Sequence, residues 1–456
     1  MAGDARIQDE AEFQAALGLL SAEIGGDMAR NIAPGVSIAV VQGDGAPWAR
    51  GFGFADLAVG KRAEPDTIYA VGSITKLFTA TMLMQLRDAG KLRLDDPVQG
   101  YVPDVKVPHR HPGAPAITFR HLVTHTSGLT KDSPAPYWDQ GESFPPVERL
   151  MELLEETGQP YPPGVRWKYS NLAIALLGFT LARIAGVSWD EWVTSRILAP
   201  IGMTSAAPRF AEGQRDRLAT GYARPTGDWP PAVLAHQDLG GISFGGSMHA
   251  SVVDMAKFLA QQWASAPVAL AAPSVAEMHR PVWLNEDWQT GQGIGWRVIK
   301  AADGTTRTEH GGGVHGFTCK TLVSLKDQLG VAVFTNGSDG NVGNTIATRA
   351  LDLLSPAVRR IRARRAVPAT GPAEWARYVG RYRWVLGDAE VTFERGVLTL
   401  EVPNGPAWES IMLTPAGEHT FHMTGGQVHG ELLRFVLDAN GVVRRAWLGP
   451  HPHDRI

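Results

Sequence analysis

Cysteine is almost missing: Cys319 stands alone, so no intrachain disulfide and no cysteine-based metal set can form. A strong charge of either sign is missing too. Lys and Arg number 43 against 46 Asp and Glu, a formal net charge of −3, which supplies no general basic field for nucleic acid or an anionic membrane. No apolar run reaches the length that spans a bilayer. Met1–Gln14 is charged and lacks the apolar core of a secretory signal. These absences predict a cytoplasmic protein with no nucleic-acid or membrane partner. No repeat or low-complexity segment is present. His109, His111, His451 and His453 lie in Pro-containing stretches without carboxylate or cysteine at ligand spacing, and are expected to be exposed loop histidines. No metal or cofactor is expected.

What is present describes an ordinary globular protein, 44% hydrophobic and 20% charged. Its 456 residues suffice for two or three domains with a large core. Phe13, Leu17, Leu20 and Ile24 repeat at helical spacing, and Gly25-Gly26 is expected to end that helix. Residues 36–41 read as a buried strand and 48–54 as its hairpin partner. A helix is expected from Ser73 to near Gly90, and others over 147–156 and through 167–184. Val314–Leu325 and Leu329–Asn336 read as two strands joined at Lys326-Asp327, followed by a closing helix, Thr345–Leu354. Pro-rich stretches, 134–146 and 160–163, separate the middle elements. After residue 355 the composition changes: a basic, turn-rich linker is expected over 356–372, its Arg359–Arg365 run forming a solvated face. Seven short strands follow between Gly380 and Leu448, at a spacing that suggests a small antiparallel barrel or sandwich over 373–456.

The chemistry starts at Val71-Gly72-Ser73-Ile74-Thr75-Lys76. A serine that opens a helix gains free N–H groups and partial positive charge. A lysine one turn on shares its face and, desolvated in a cleft, can work as a base. Two further stretches follow in order, Tyr169-Ser170-Asn171 and His310-Gly311-Gly312-Gly313. Each is weak alone. At these separations the three resemble the penicillin-recognising serine enzymes: penicillin-binding proteins, class C-type β-lactamases, family VIII esterases and D-amino-acid peptidases. Leu122–Leu129, Pro200–Met203 and Gly293–Trp296 look like landmarks of the same family, and the resemblance covers about residues 30–355.

The resemblance implies an α/β fold over residues 1–355, an antiparallel sheet flanked by helices plus an all-α half, with the site between them. It implies Ser73 as nucleophile, forming an acyl-enzyme, with Lys76 helping to move its proton. Tyr169 would act as base and then as acid for the leaving group, a role that requires a phenol pKa below its ordinary value near 10. Asn171 would hold Lys76 or a substrate amide. The N–H groups of Ser73 and Gly313 would form the oxyanion hole, and Gly312 with its neighbours would let the strand approach the substrate. His310 stands where β-lactamases and transpeptidases carry Lys-Thr/Ser-Gly and supplies neither a fixed charge nor a hydroxyl. Esterases, D-aminopeptidase-like enzymes and peptide cyclases of the family often carry this form, so lactam hydrolysis is expected to be slow.

Tyr378–Tyr382 looks like the lipocalin-like barrel appended to some members, from which Arg444 or Arg445 would reach a substrate carboxylate. The expected activity is hydrolysis of an ester, amide or peptide, with D-configured residues among the candidates. The alternative is a thioesterase-type peptide cyclase that takes its acyl group from a carrier-bound thioester and passes it to an amine. A catalytically dead binding domain is the third reading. Small molecules or peptides are the expected substrates, and the sequence is silent on oligomeric state. Gly241-Ile242-Ser243-Phe244-Gly245 matches the Gly-x-Ser-x-Gly elbow, but no buried strand precedes it. It is expected to be a cleft wall instead.

Overall fold

The computed structural model describes residues 6–31, 33–133, 144–224, 230–365, 371–384, 387–394, 396–401, 411–425 and 428–456. Most of the Pro-rich stretch 134–146 and the turn-rich 366–370 fall outside them. The chain forms two compact units, Met1–Ile361 and Arg362–Ile456.

The first unit is built on nine antiparallel strands. In chain order they are β1 (Gly35–Gln42), β2 (Trp48–Asp56), β3 (Lys61–Arg62), β4 (Trp283–Leu284), β5 (Thr290–Gln292), β6 (Arg297–Lys300), β7 (Thr306–Val314), β8 (Phe317–Ser324) and β9 (Leu329–Thr335). Their order across the sheet is β3-β2-β1-β9-β8-β7-β6-β5-β4. Side chains alternate across a strand, and β1 shows what each face meets. Val36, Ile38 and Val40 enter one core with Phe13, Leu17, Leu20 and Ile24 of helix α1 (Ala11–Asn31). Ala39 and Val41 enter the other, beneath α2 (Thr75–Asp88), α3 (Asn171–Ala185) and α4 (Val252–Ala260). With both faces covered, β1 is buried along its whole length, which is why it reads as a continuous apolar run.

Three expectations need correction here. Gly25-Gly26 does not end the first helix; α1 runs through both glycines to Asn31, since each glycine costs a helix only about 1 kcal/mol. Val314 does not begin a strand; it ends β7, a strand that the resemblance implied at the glycines but that the side-chain pattern did not mark. The Gly311–Gly313 run hides it, because glycine gives no β signal. The pairing is nevertheless regular, His310 opposite Thr321 and Gly312 opposite Cys319. The closing helix does not end at Leu354 either. It runs as α5 from Gly340 to Arg365, through Pro356, so residues 356–365 are not linker. Ala357, Val358 and Ile361 prolong the buried stripe of Ile346, Ala350 and Leu354. Burying Val358 and Ile361 contributes about 1.5–3 kcal/mol each, enough to offset the roughly 3 kcal/mol that a proline costs inside a helix. Arg359 adds ion pairs to Asp327 and Asp303, both at 2.8 Å.

The second unit is a closed antiparallel barrel of eight strands, β10 (Gly380–Trp384), β11 (Gly387–Glu394), β12 (Val397–Glu401), β13 (Ile411–Gly417), β14 (Thr420–Thr424), β15 (Leu432–Leu437), β16 (Val443–Leu448) and β17 (His451–Arg455). The eighth strand was read as loop. It pairs with β16 and β10 and so removes the open edges. His453, expected to be exposed, is buried in it. Tyr378, Tyr382, Phe421 and Phe435 fill the interior, and the Tyr382 hydroxyl donates to the Tyr378 carbonyl at 2.6 Å. Arg444 and Arg445, suggested as carboxylate ligands, are engaged within the barrel by Asp438 at 2.8 Å and Asp454 at 2.5 Å.

Candidate active site

Ser73 sits in a 3₁₀ turn, Gly72–Ile74, that runs directly into α2. The apolar stripe of α2 (Leu77, Phe78, Met82, Leu83, Leu86) buries the helix in the core and carries Lys76 down with it. Lys76 is 2% exposed, and a buried ammonium has to be hydrogen-bonded. It is. Its Nζ donates to Ser73 Oγ at 3.0 Å, to Asn171 Oδ1 at 3.0 Å and to the Gly245 carbonyl at 2.8 Å.

Tyr169 and Asn171 flank the start of α3. Ser170 between them is the N-cap, its side chain accepting from the Ala173 N–H and donating to the Thr130 carbonyl at 2.7 Å. This cap fixes the entry angle of the chain and sends its two neighbours toward Ser73. The Tyr169 hydroxyl lies 2.7 Å from Ser73 Oγ. Its ring packs 4.5 Å from the ring of His125 and 5.0 Å from Lys76 Nζ. His125 is buried with φ of 58°, and its Nδ1 accepts from the Ser170 N–H at 3.2 Å. Burial, and then the charge of Lys76, hold its imidazole well below the ordinary histidine range, so it is neutral at pH 7.

Donor counting orients the protons. An ammonium has three donors and no acceptor. With Lys76 spending its three on Ser73, Asn171 and Gly245, the Ser73 hydroxyl keeps its own proton free to donate to Tyr169. That is the direction in which a proton must travel to activate the serine.

The glycines of β7 do different work from one another. A Cβ on Gly312 would meet the Val71 carbonyl at 1.9 Å, and one on Gly72 would meet Gly313 N at 2.7 Å. Gly312 is therefore the residue that lets β7 press against the Ser73 turn. Gly313, with open space on its Cβ side, lines the Ser73 cavity. This cavity measures about 260 Å³, and Tyr169, Asn171, Lys131, Gly245 and Gly246 line it as well. His310 is not part of that lining among the described residues. It is half-buried, with Nδ1 2.7 Å from the Gly311 carbonyl. Burial and the nearby Lys76 charge push its pKa down, leaving it neutral at pH 7.

Three contributors escaped the sequence reading. Asp132 accepts from Asn171 Nδ2 at 2.8 Å, so Asn171 Oδ1 must face Lys76. Lys131 reaches the cavity beside it. The third is the Gly245 carbonyl. Position after Leu129-Thr130 was the only sequence signal for the first two, and no pattern marks a lone carbonyl. Ser243, the nucleophile-elbow decoy, is fully buried; it donates to the Gly240 carbonyl at 2.5 Å and accepts from Arg209 at 2.6 Å. Its segment, a 3₁₀ turn over Gly240–Gly245, forms the cleft wall that was expected.

Among the described residues no group of three or more His, Cys, Asp or Glu could hold a metal. No single helix among them is long and apolar enough to cross a membrane.

A family model described as "Beta-lactamase" matches residues 20–355. "Beta-lactamase-like protein 2" of Dictyostelium discoideum is 30% identical over 51% of this chain and 43% of its own length. "Penicillin-binding protein 4" of Amycolatopsis lactamdurans is 30% identical over 67% of this chain and 81% of its own length. The chain thus spans less than half of the first relative and most of the second. Among solved structures, the octameric penicillin-binding protein homologue from Pyrococcus abyssi is 26% identical with a TM-score of 0.65, covering 96% of this chain and 99% of that one. That likeness takes in both units, sheet and barrel.

Proposed function

The chain belongs to the beta-lactamase family, and from that premise we propose that it is a serine acyl-transfer enzyme working through an acyl–Ser73 intermediate. One observation carries this reading: Ser73 Oγ lies between Tyr169 Oη at 2.7 Å and Lys76 Nζ at 3.0 Å. Tyr169 in its phenolate form takes the serine proton as Ser73 attacks an ester, thioester or amide carbonyl. The N–H groups of Ser73 and Gly313 receive the oxyanion, and the Lys76 charge steadies the negative charge that develops beside it. Tyr169 then returns the proton to the leaving group. Water enters by the same route in reverse and frees the acid.

Substrate preference follows from what His310 lacks. A neutral imidazole turned toward Gly311 offers no fixed cation to a substrate carboxylate. Esters, thioesters and peptide-like amides are therefore favoured over β-lactams. Intact-mass analysis across a panel of esters, D-peptides and thioesters tests the proposal. An acyl adduct should appear on the wild type and be absent from Ser73→Ala. Product masses decide the second half of the reaction. The hydrolysed mass means water completes it; that mass less one water means that an amine of the substrate does, as in a peptide cyclase. No adduct from any donor would end the proposal.

A further inference from the structure

A second cavity, of about 210 Å³, adjoins the Ser73 cavity, and the two share Leu239, Gly246 and Val314. Val314 directly follows Gly313 along β7. Tyr169 lines the Ser73 cavity but not the second one. A substrate whose leaving group meets Tyr169 can therefore place its acyl portion in the second cavity. The volume is below the roughly 300–1,000 Å³ of sites that hold a whole drug-sized ligand, so it suits a single substituent.

The walls specify the substituent. His249 is buried, with Nδ1 2.9 Å from the Ser247 carbonyl. A carbonyl only accepts, so Nδ1 carries the proton and Nε2 of the neutral ring is a lone pair. His236 Nε2 lies 3.2 Å from that lone pair and must be the N–H, which leaves His236 Nδ1 as an acceptor. Next along the chain, Gln237 Oε1 is buried without a hydrogen-bond partner, a costly state unless a ligand supplies a donor. Asp238 adds a carboxylate, largely exposed and bonded to the Gly240 N–H at 3.0 Å. Arg209 also lines the cavity; it is bonded to Asp190 at 2.7 Å and to Ser243, and pairs with Asp238 at 3.6 Å. One arginine thus stands between two carboxylates, Asp190 and Asp238, and the three together leave one negative charge in surplus. Acceptors and negative charge together call for a cationic donor.

We propose that this second cavity binds a protonated amine carried by the acyl part of the substrate, held by His236, Gln237 and Asp238. The proposal rests on the acyl–Ser73 reading and narrows its donors to aminoacyl compounds. Ethyl thioesters provide the test, made with the amine on the α-carbon or at the end of a six-carbon chain, each beside its deamino analogue. In one of the two pairs the amine should raise kcat/KM by about tenfold or more. The ratio should fall to about one in a Gln237→Leu/Asp238→Asn double variant. Equal kcat/KM within both wild-type pairs, or an unchanged ratio in the variant, overturns the proposal. Calorimetric binding of the same pairs to Ser73→Ala repeats the comparison without turnover. Tighter binding of the amines with no acylation of wild type would sink the acyl-transfer reading and keep the pocket. Acylation without any amine preference would remove the pocket alone.

Discussion

Replacing Tyr169 by Phe deletes one oxygen and leaves nearly everything else in place. The ring stays against His125 at 4.5 Å and near Lys76 at 5.0 Å, and the Ser170 cap is untouched. Stability should fall only by the worth of one hydrogen bond, about 0.5–1.5 kcal/mol. Catalysis should suffer far more, because in the proposed mechanism the serine proton leaves through the 2.7 Å contact to Ser73 Oγ. General acid–base catalysis contributes about 10²–10⁴ in rate. At 1.36 kcal/mol per factor of ten, the expected barrier increase is roughly 2.7–5.5 kcal/mol. Single-turnover acylation followed by intact mass reads the chemical step directly, and steady-state kinetics should show the loss in kcat with little change in KM. Acylation by Tyr169→Phe within threefold of wild type would refute the assignment and shift the base role to Lys76.

Ser243→Ala should keep turnover while lowering stability by about 1–3 kcal/mol in urea titration, because Arg209 and the Gly240 carbonyl lose a buried partner; lost acylation with retained fold would contradict the site. Gly312→Ala places a methyl 1.9 Å from the Val71 carbonyl, so both stability, by about 1–3 kcal/mol, and acylation should drop; a fully active, stable variant would show that β7 and the Ser73 turn are less closely fitted. His279 is fully buried between Thr308 and Gln262, and burial lowers its pKa to about 3. The unfolded chain then binds the proton first, so stability is fully present above the unfolded value near 6.5 and is lost as pH falls toward 3, by about 1.4 kcal/mol per unit for this one group. Urea titrations should show His279→Gln losing less stability than wild type between pH 6.5 and 5; equal losses would remove His279 as the cause. Turnover should survive EDTA, and its loss on chelation would count against a metal-free mechanism.

The elements that announce themselves in the sequence are those whose burial is one-sided or complete. Phe13 to Ile24, the β1 run and the α2 stripe all satisfy a simple period, and the structure has them where the period puts them, although α1 runs on past the glycines expected to end it. Ser73, Lys76, Tyr169 and Asn171 were legible because three short motifs occur in one order, and the fold brings all four together. Where backbone geometry rather than side-chain pattern decides, the reading failed. β7 is carried through three glycines by its partners on either side, and β17 exists because a barrel has to close. In α5, proline and arginine mimic a linker while Val358 and Ile361 keep the helix on the core. Asp132 and the Gly245 carbonyl act through position alone, which no composition or spacing reveals.

The peptide unit between Gly245 and Gly246 has two allegiances. Its oxygen receives a proton donor from the lysine beside the nucleophile, and the residue on its nitrogen side walls both hollows. If the smaller hollow takes the acyl substituent as proposed, its occupant leans on the same peptide plane that holds Lys76, and recognition and reaction speed should change together. Truncated donors should accordingly react sluggishly even at saturation, and enlarging that hollow by engineering will retune the chemistry along with the choice of substrate.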